Sequence, residues 1–323
     1  MKTLTAALTL VLAVSTAACA PTTHAVAPAN LGVARSTADL EAVVDQPGPI
    51  TVETVVGADW EVDRGGLLNL AHPKAVAAGL KDGPEKIVVA FHALRHPERG
   101  LFLVDTGIEK DLRDAPERAA ARGLVASVMH LEKLRFHDVT ATWIAAQKQP
   151  VAGVFLTHLH FDHITGMRDV PAATPVYTGP GESREKAFLN LFVRGVTDDA
   201  LAGKGPLREL AFAPDPANAF AGVLDVFGDG SLWALHVPGH TPGSTAYVAR
   251  TPKGPVLLTG DACHTTWGWD NGVEPGSFSD DRPLSAVSLS RLRRFAAKHP
   301  GIDVRVGHQL RAPSAPAEAS AAR

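Results

Sequence analysis

Four side chains able to bind metal fall within six residues: His158, His160, Asp162 and His163, in the run Thr157-His158-Leu159-His160-Phe161-Asp162-His163. The run follows directly on an apolar, β-prone stretch, residues 151–156. Residues two apart on an extended chain point the same way, so His158 and His160 can grip one metal ion. The chain must then turn, and Asp162 and His163 can face a second ion close by. Neutral imidazole with carboxylate is the ligand set of Zn²⁺, with Fe, Mn or Co as the other divalent candidates. The competing reading, a solvent-exposed histidine-rich turn, sits poorly with so dense a cluster at the end of a buried strand. The chain holds 14 histidines in 323 residues, more than packing needs.

The HxHxDH run resembles the signature of the metallo-β-lactamase superfamily, and later residues extend the resemblance in order. Pro238-Gly239-His240-Thr241-Pro242-Gly243-Ser244 is similar to the next family motif, which implies His240 as third ligand of the first metal. Thr259-Gly260-Asp261-Ala262 is similar to the motif whose carboxylate bridges both metals, and Val306-Gly307-His308 to the last motif, with His308 on the second metal. Val104-Asp105-Thr106-Gly107 resembles the early Asp-Thr-Gly motif, where the Asp supports the ligands from behind; after a strand it is also a common turn.

Two divalent ions bridged by Asp261 can share a hydroxide, formed near neutral pH, that attacks a carbonyl or phosphoryl centre. Asp162 is then placed to orient the nucleophile or pass a proton to the leaving group. The motif spacing is similar to that of the N-acyl-homoserine lactonases and of methyl parathion hydrolase-like members. The resemblance therefore implies an exported, two-metal hydrolase of a small-molecule lactone or ester. The alternative is an organophosphate or phosphoester hydrolase, with a β-lactamase or a mononuclear iron persulfide dioxygenase behind it. His264 stands where the lactonases carry a Tyr that contacts the substrate carbonyl, which marks His264 as a catalytic, substrate-contacting residue. Gln309 replaces the Asp that usually follows their final Gly-His. Trp267 and Trp269 lie in a Gly-rich loop and either wall an apolar pocket or pack that loop onto the body. Cys263 reads as a small buried residue, not a ligand.

Two groups of strands are needed to carry these residues. Residues 87–91 and 101–104 flank a turn-like His96-Pro97-Glu98-Arg99-Gly100 and predict a buried hairpin. Residues 111–147 predict helix with a break near Gly123 and a second helix around Ala141 to Gln147, and 182–203 a further helix with Phe188, Leu191 and Phe192 at core spacing. Strands are expected near 224–227, 232–237, 245–249 and 256–259. A last helix, capped by Asp280 or Asp281, turns Leu284, Val287, Leu292 and Phe295 inward, and a strand over 302–306 follows it. Two strand groups, each followed by helices, predict an α/β fold in which an αββα sandwich holds two facing sheets between helices.

The N-terminus reads as a targeting segment. Lys2 precedes an apolar stretch, residues 4–18, too short to span a bilayer comfortably and suited to a signal peptide. Ser15-Thr16-Ala17-Ala18-Cys19 resembles a bacterial lipobox, with Cys19 as the lipidated residue of a periplasmic lipoprotein. The alternative is cleavage near Ala25, giving a soluble periplasmic or secreted protein. The expected division is a signal peptide over 1–18, a tether over 19–48, the hydrolase domain over 49–312 and a disordered tail over 313–323. A net charge of −3 is close to zero and points to neither nucleic acid nor an anionic membrane surface; the expected partner is a small-molecule substrate, with the Cys19 anchor as the sole link to a membrane.

Overall fold

The computed structural model describes residues 20–184 and 190–311, with side chains up to 184 and from 193 onward. The apolar N-terminal segment with Cys19, the residue Phe188, the side chains of Leu191 and Phe192, and the tail from 313 lie outside the described residues.

The uninterrupted apolar runs become strands with two covered faces. In Gly100–Val104, Leu101 and Leu103 pack outward with Trp143 and Ile164, while Phe102 and Val104 pack inward with Phe155 and Tyr247. In Leu232–His236, Trp233 and Leu235 meet Leu289, Leu292 and Phe295 of the last helix, and Leu232 and Ala234 join the inner layer. Side chains alternating with period two, apolar on both faces, require a sheet covered on both sides, and two such sheets give the αββα arrangement.

In chain order the strands are β1 (Val26–Pro28), β2 (Val33–Arg35), β3 (Thr51–Asp63), β4 (Pro84–His96), β5 (Gly100–Val104), β6 (Arg135–Phe136) and β7 (Val151–Phe155). They continue as β8 (Val176–Thr178), β9 (Leu207–Glu209), β10 (Gly222–Asp225), β11 (Leu232–His236), β12 (Thr245–Thr251), β13 (Gly254–Leu258) and β14 (Asp303–Arg305). One sheet runs β1-β9-β8-β7-β5-β4-β3-β6, the other β14-β13-β12-β11-β10-β2. The expected hairpin is β4 against β5, antiparallel, with His96 opposite Gly100. β7 lies parallel to β5, and β14 parallel to β13, so within each sheet two chain exits share one rim.

Residues 20–48, expected to be a tether, are instead built into both sheets. β1 pairs with β9 and β2 with β10. The helix Thr37–Glu41 lies between β2 and β3, with a capping box in which Ser36 and Asp39 exchange hydrogen bonds. Leu40 and Val44 are fully buried among Phe220, Trp233 and Phe295. Edge strands of three residues carry too little apolar pattern to stand out from an Ala/Pro/Thr-rich background, and tertiary pairing decides their state. Leu40→Ala is therefore expected to cost about 2–5 kcal/mol, read as a lower urea midpoint; an unchanged midpoint would return this segment to the status of a tether.

Two further expectations are corrected. The second helix expected near Ala141 is present as Thr140–Ala145, but the stretch before it is not one helix: it forms short helical turns broken at Pro116, at Gly123 (φ +59°) and at His130 (φ +53°), with β6 inserted. The last helix, Arg282–Lys298, is capped by Asp281, whose side chain accepts from the Leu284 amide. Its buried face is Ser285, Ser288, Leu289, Leu292 and Phe295, and Val287 points to solvent.

Candidate metal centre

The ligand-type residues sit just past strand ends. Asp105 follows β5 directly, while His158, Asp261 and His308 each lie three residues beyond β7, β13 and β14. His240 is in the turn joining β11 to β12. The Thr245 amide donates to the Thr157 carbonyl at 2.9 Å and ties the rim of one sheet to the other. Rigid strands thus deliver loop residues from both sheets to one place.

His158, His163, His240, Asp261 and His308 are buried, while His160 and Asp162 are partly exposed. His240 Nε2 stands 3.1 Å from His158 Nε2 and 2.9 Å from His160 Nδ1. On the other side, Asp162 Oδ2 stands 3.4 Å from His308 Nε2 and 3.9 Å from His163 Nε2. Between the two sets lies Asp261 Oδ2. It is 3.1 Å from His308 Nε2, 3.1 Å from His264 Nε2, 3.4 Å from His163 Nε2, 3.5 Å from His240 Nε2 and 3.7 Å from His158 Nε2.

This crowding fits cations and little else. Asp261 Oδ1 and His163 Nε2 are buried with no hydrogen-bond partner, a costly state unless an ion satisfies them. Burial and the His163 and His160 imidazoles hold His158 well below the usual histidine range, and burial with His160 does the same to His240. Burial also opposes charge on His163 and His308, but the carboxylates together outweigh it, Asp261 with Asp105 and Asp162 at His163 and Asp261 with Asp162 at His308. His163 is held well above its usual range and His308 is pushed up to about 9. Burial likewise opposes the Asp261 carboxylate, and His308, His264 and His163 together hold it well below the carboxylate range. Without metal, protons supply the positive charge that the carboxylates demand. The donor set itself, imidazole nitrogen with carboxylate oxygen, is that of zinc and its neighbours.

Support comes from behind. Asp105 Oδ2 accepts from His163 Nδ1 at 2.8 Å, and its Oδ1 accepts from the Thr157 amide at 2.7 Å. Gly307 leaves room for Asp261, because a Cβ there would come within 2.3 Å of Oδ1. Glu182 plays a part the sequence did not reveal. It is fully buried and accepts from the Leu159 amide (2.8 Å), the Gly243 amide (2.9 Å) and the Thr241 hydroxyl (2.7 Å). It therefore clamps the loop carrying His158 and His160 to the turn carrying His240. A single Glu after Gly-Pro-Gly has no ligand spacing to flag it.

A cleft of about 860 Å³ opens beside this centre, with Trp60, Ile87, Arg135, Thr266, His308 and Gln309 in its wall. That volume suits a small molecule. His264, Trp267 and Trp269, expected in the substrate pocket, are not part of the wall. Trp269 packs with Leu292 and Phe295 in the outer core, and His264 is buried and turned toward Asp261. Both tryptophans lie on the helix Thr266–Asn271, capped by the Thr265 side chain, which contributes Thr266 to the cleft wall. Cys263 is buried, its thiol pushed up to about 12 by burial, and it belongs to no ligand group among the described residues.

A family model for the metallo-beta-lactamase superfamily matches residues 88–308. The chain is 32% identical over 231 residues to an N-acyl homoserine lactonase of Azorhizobium caulinodans, covering 69% of this chain and 82% of that one. It is 33% identical over 152 residues to an N-acyl homoserine lactonase of Agrobacterium fabrum, across 45% of this chain and 54% of the relative. In three dimensions it is similar to a quorum-quenching N-acyl homoserine lactone lactonase, with a TM-score of 0.57, 19% identity, and coverage of 82% and 93%. That likeness bears on the fold.

Proposed function

The chain belongs to the metallo-β-lactamase superfamily, and from that premise we propose a two-metal hydrolase that opens a lactone or ester bond in a small molecule. The observation carrying this reading is the set of imidazole nitrogens within 3.1–3.7 Å of the single oxygen Asp261 Oδ2. His158, His160 and His240 would hold one ion, Asp162, His163 and His308 the other, with Asp261 between them. Such ions supply Lewis acidity toward a carbonyl and lower the pKa of water.

The remaining work falls to the chain. Asp105 fixes the tautomer of His163 through the 2.8 Å bond to Nδ1, which keeps the Nε2 lone pair aimed at the centre. The Val88 carbonyl does the same for His308 at 3.0 Å. Asp162, the partly exposed carboxylate of the group, is positioned to carry a proton to the departing alkoxide. The cleft offers Trp60 and Ile87 as apolar contacts and Arg135 as a polar one.

Lactone hydrolysis is favoured because relatives carrying that name match most of the chain. Purified protein should turn over N-acyl homoserine lactones in preference to phosphotriesters and β-lactams, lose that activity to a chelator and regain it with Zn²⁺. A preference for phosphotriesters would put the organophosphate reading first, and turnover untouched by chelation would sink the metal reading altogether.

A further inference from the structure

His264 is the one residue at this centre whose placement departs from what its position in the chain suggests. It neither lines the cleft nor reaches solvent: it is 2% exposed, and its Nε2 lies 3.1 Å from Asp261 Oδ2. We infer that His264 is an additional protein ligand of the metal site, on the His240 side of Asp261. This rests on the proposed function only in requiring that the centre binds metal.

The argument is one of tautomers. His264 Nδ1 lies 3.0 Å from the Leu67 carbonyl oxygen, which can only accept, so Nδ1 carries the proton. In the neutral ring Nε2 is then a bare lone pair, and it faces a carboxylate oxygen, acceptor against acceptor. Both groups are buried, and no solvent relieves the conflict. A positive charge between them, a proton or a metal ion, resolves it, and among the ligand-type groups gathered around Asp261 the metal ion is the occupant proposed.

His308 provides the internal comparison. Its Nδ1 lies 3.0 Å from the Val88 carbonyl, and its Nε2 lies 3.1 Å from the same Asp261 oxygen. The two histidines are wired alike. Their backbones are tied together as well, the His308 amide donating to the His264 carbonyl at 3.0 Å and the Gly307 amide to that of Cys263 at 2.9 Å. Their rings stack with centroids 5.6 Å apart and planes 16° from parallel. What the chain does with one imidazole as a ligand, it repeats with the other.

The side is set by His240. Ligand atoms of His240, Asp261 and His264 all lie within 4.8 Å of one another, and the rings of His240 and His264 are 5.0 Å apart. With His158 and His160 already on that side, protein donors crowd the ion there. The open coordination is left on the other side, where His308 borders the cleft. Closed sites hold metal and open ones do chemistry, so the two positions are expected to differ in affinity, with the His240 side tighter.

The test is metal binding, not turnover alone. Metal-free wild type, His264→Ala and His264→Gln are titrated with Zn²⁺ against a chromophoric chelator, and the Co²⁺-loaded proteins are compared by visible absorption. The Gln variant keeps a polar group of similar reach should Ala perturb the fold, and thermal melting of the metal-free proteins checks both. A lost ligand should weaken the tighter site by about 100-fold or more, beyond the 10–100-fold typical of supporting residues, and should change the cobalt ligand-field bands. Unchanged affinity and an unchanged spectrum in a folded variant overturn the assignment. Asp261→Ala, run alongside, separates the outcomes: if it loses metal while His264→Gln does not, the centre stands and His264 is no ligand. If wild type takes up no metal, both readings fall together.

Discussion

Asp261→Ala is expected to lower kcat/KM by about 10³-fold or more, equivalent to about 4 kcal/mol of transition-state stabilisation, and to reduce the metal bound per chain. Asp261 Oδ2 is the one atom that both ligand sets face, with His308 at 3.1 Å on one side and His240 at 3.5 Å on the other. Removing it leaves each set with imidazoles alone on that side and nothing to fix the distance between two ions. The residue is 5% exposed, so water cannot easily take over its place in the ligand geometry. Its backbone is held by the short turn Gly260–Ala262 and not by the carboxylate, so the fold should survive the substitution. The measurements are steady-state kinetics on the best lactone substrate and metal content by elemental analysis, with circular dichroism as the fold control. A folded variant turning over at the wild-type rate would remove the bridge from the mechanism.

How far the sequence could be read depends on whether the signal was local. The run from His158 to His163 declares itself because four donors follow a strand within six residues, and the spacing alone puts His158 and His160 on one side. The β4–β5 hairpin and the strands of the second sheet are legible for the same reason: turn residues and short apolar runs lie next to one another. The segment from Val26 to Val44 is different. Its strands are three residues long, and what orders them is a pairing with residues some 180 positions away. The cleft wall is likewise assembled from residues far apart, Trp60 and Arg135 on one hand and Thr266 and Gln309 on the other. Glu182 clamps two loops through backbone amides, a role any acceptor-bearing side chain could hold and no spacing reveals. His264 was legible as important and misread in direction. Which way a side chain points at the end of a strand depends on the backbone pairing with Gly307 and His308, and that exists only in the folded chain.

Asp105→Asn is expected to weaken the site formed by Asp162, His163 and His308 by about 10–100-fold in metal affinity, with the His158, His160 and His240 side changed far less. Asparagine is the informative substitution, because Asp105 sits at φ +59°, where Asn is tolerated and Ala would add backbone strain. The amide oxygen can still accept from the Thr157 amide, now 2.7 Å from Oδ1, so the loop before His158 keeps its anchor. The amide nitrogen then faces His163 Nδ1 in place of Oδ2, now 2.8 Å away. Donor against donor is relieved only if His163 moves its proton to Nε2, and that is the nitrogen aimed at Asp261. The change thus leaves every ligand in place and disables one lone pair. Competition titration with a chromophoric chelator would resolve two affinities, and the weaker one alone should fall. A parallel loss at both sites would mean that Asp105 acts by holding the loop and not through the His163 tautomer, and unchanged affinity at both would mean that the 2.8 Å contact does not govern metal binding.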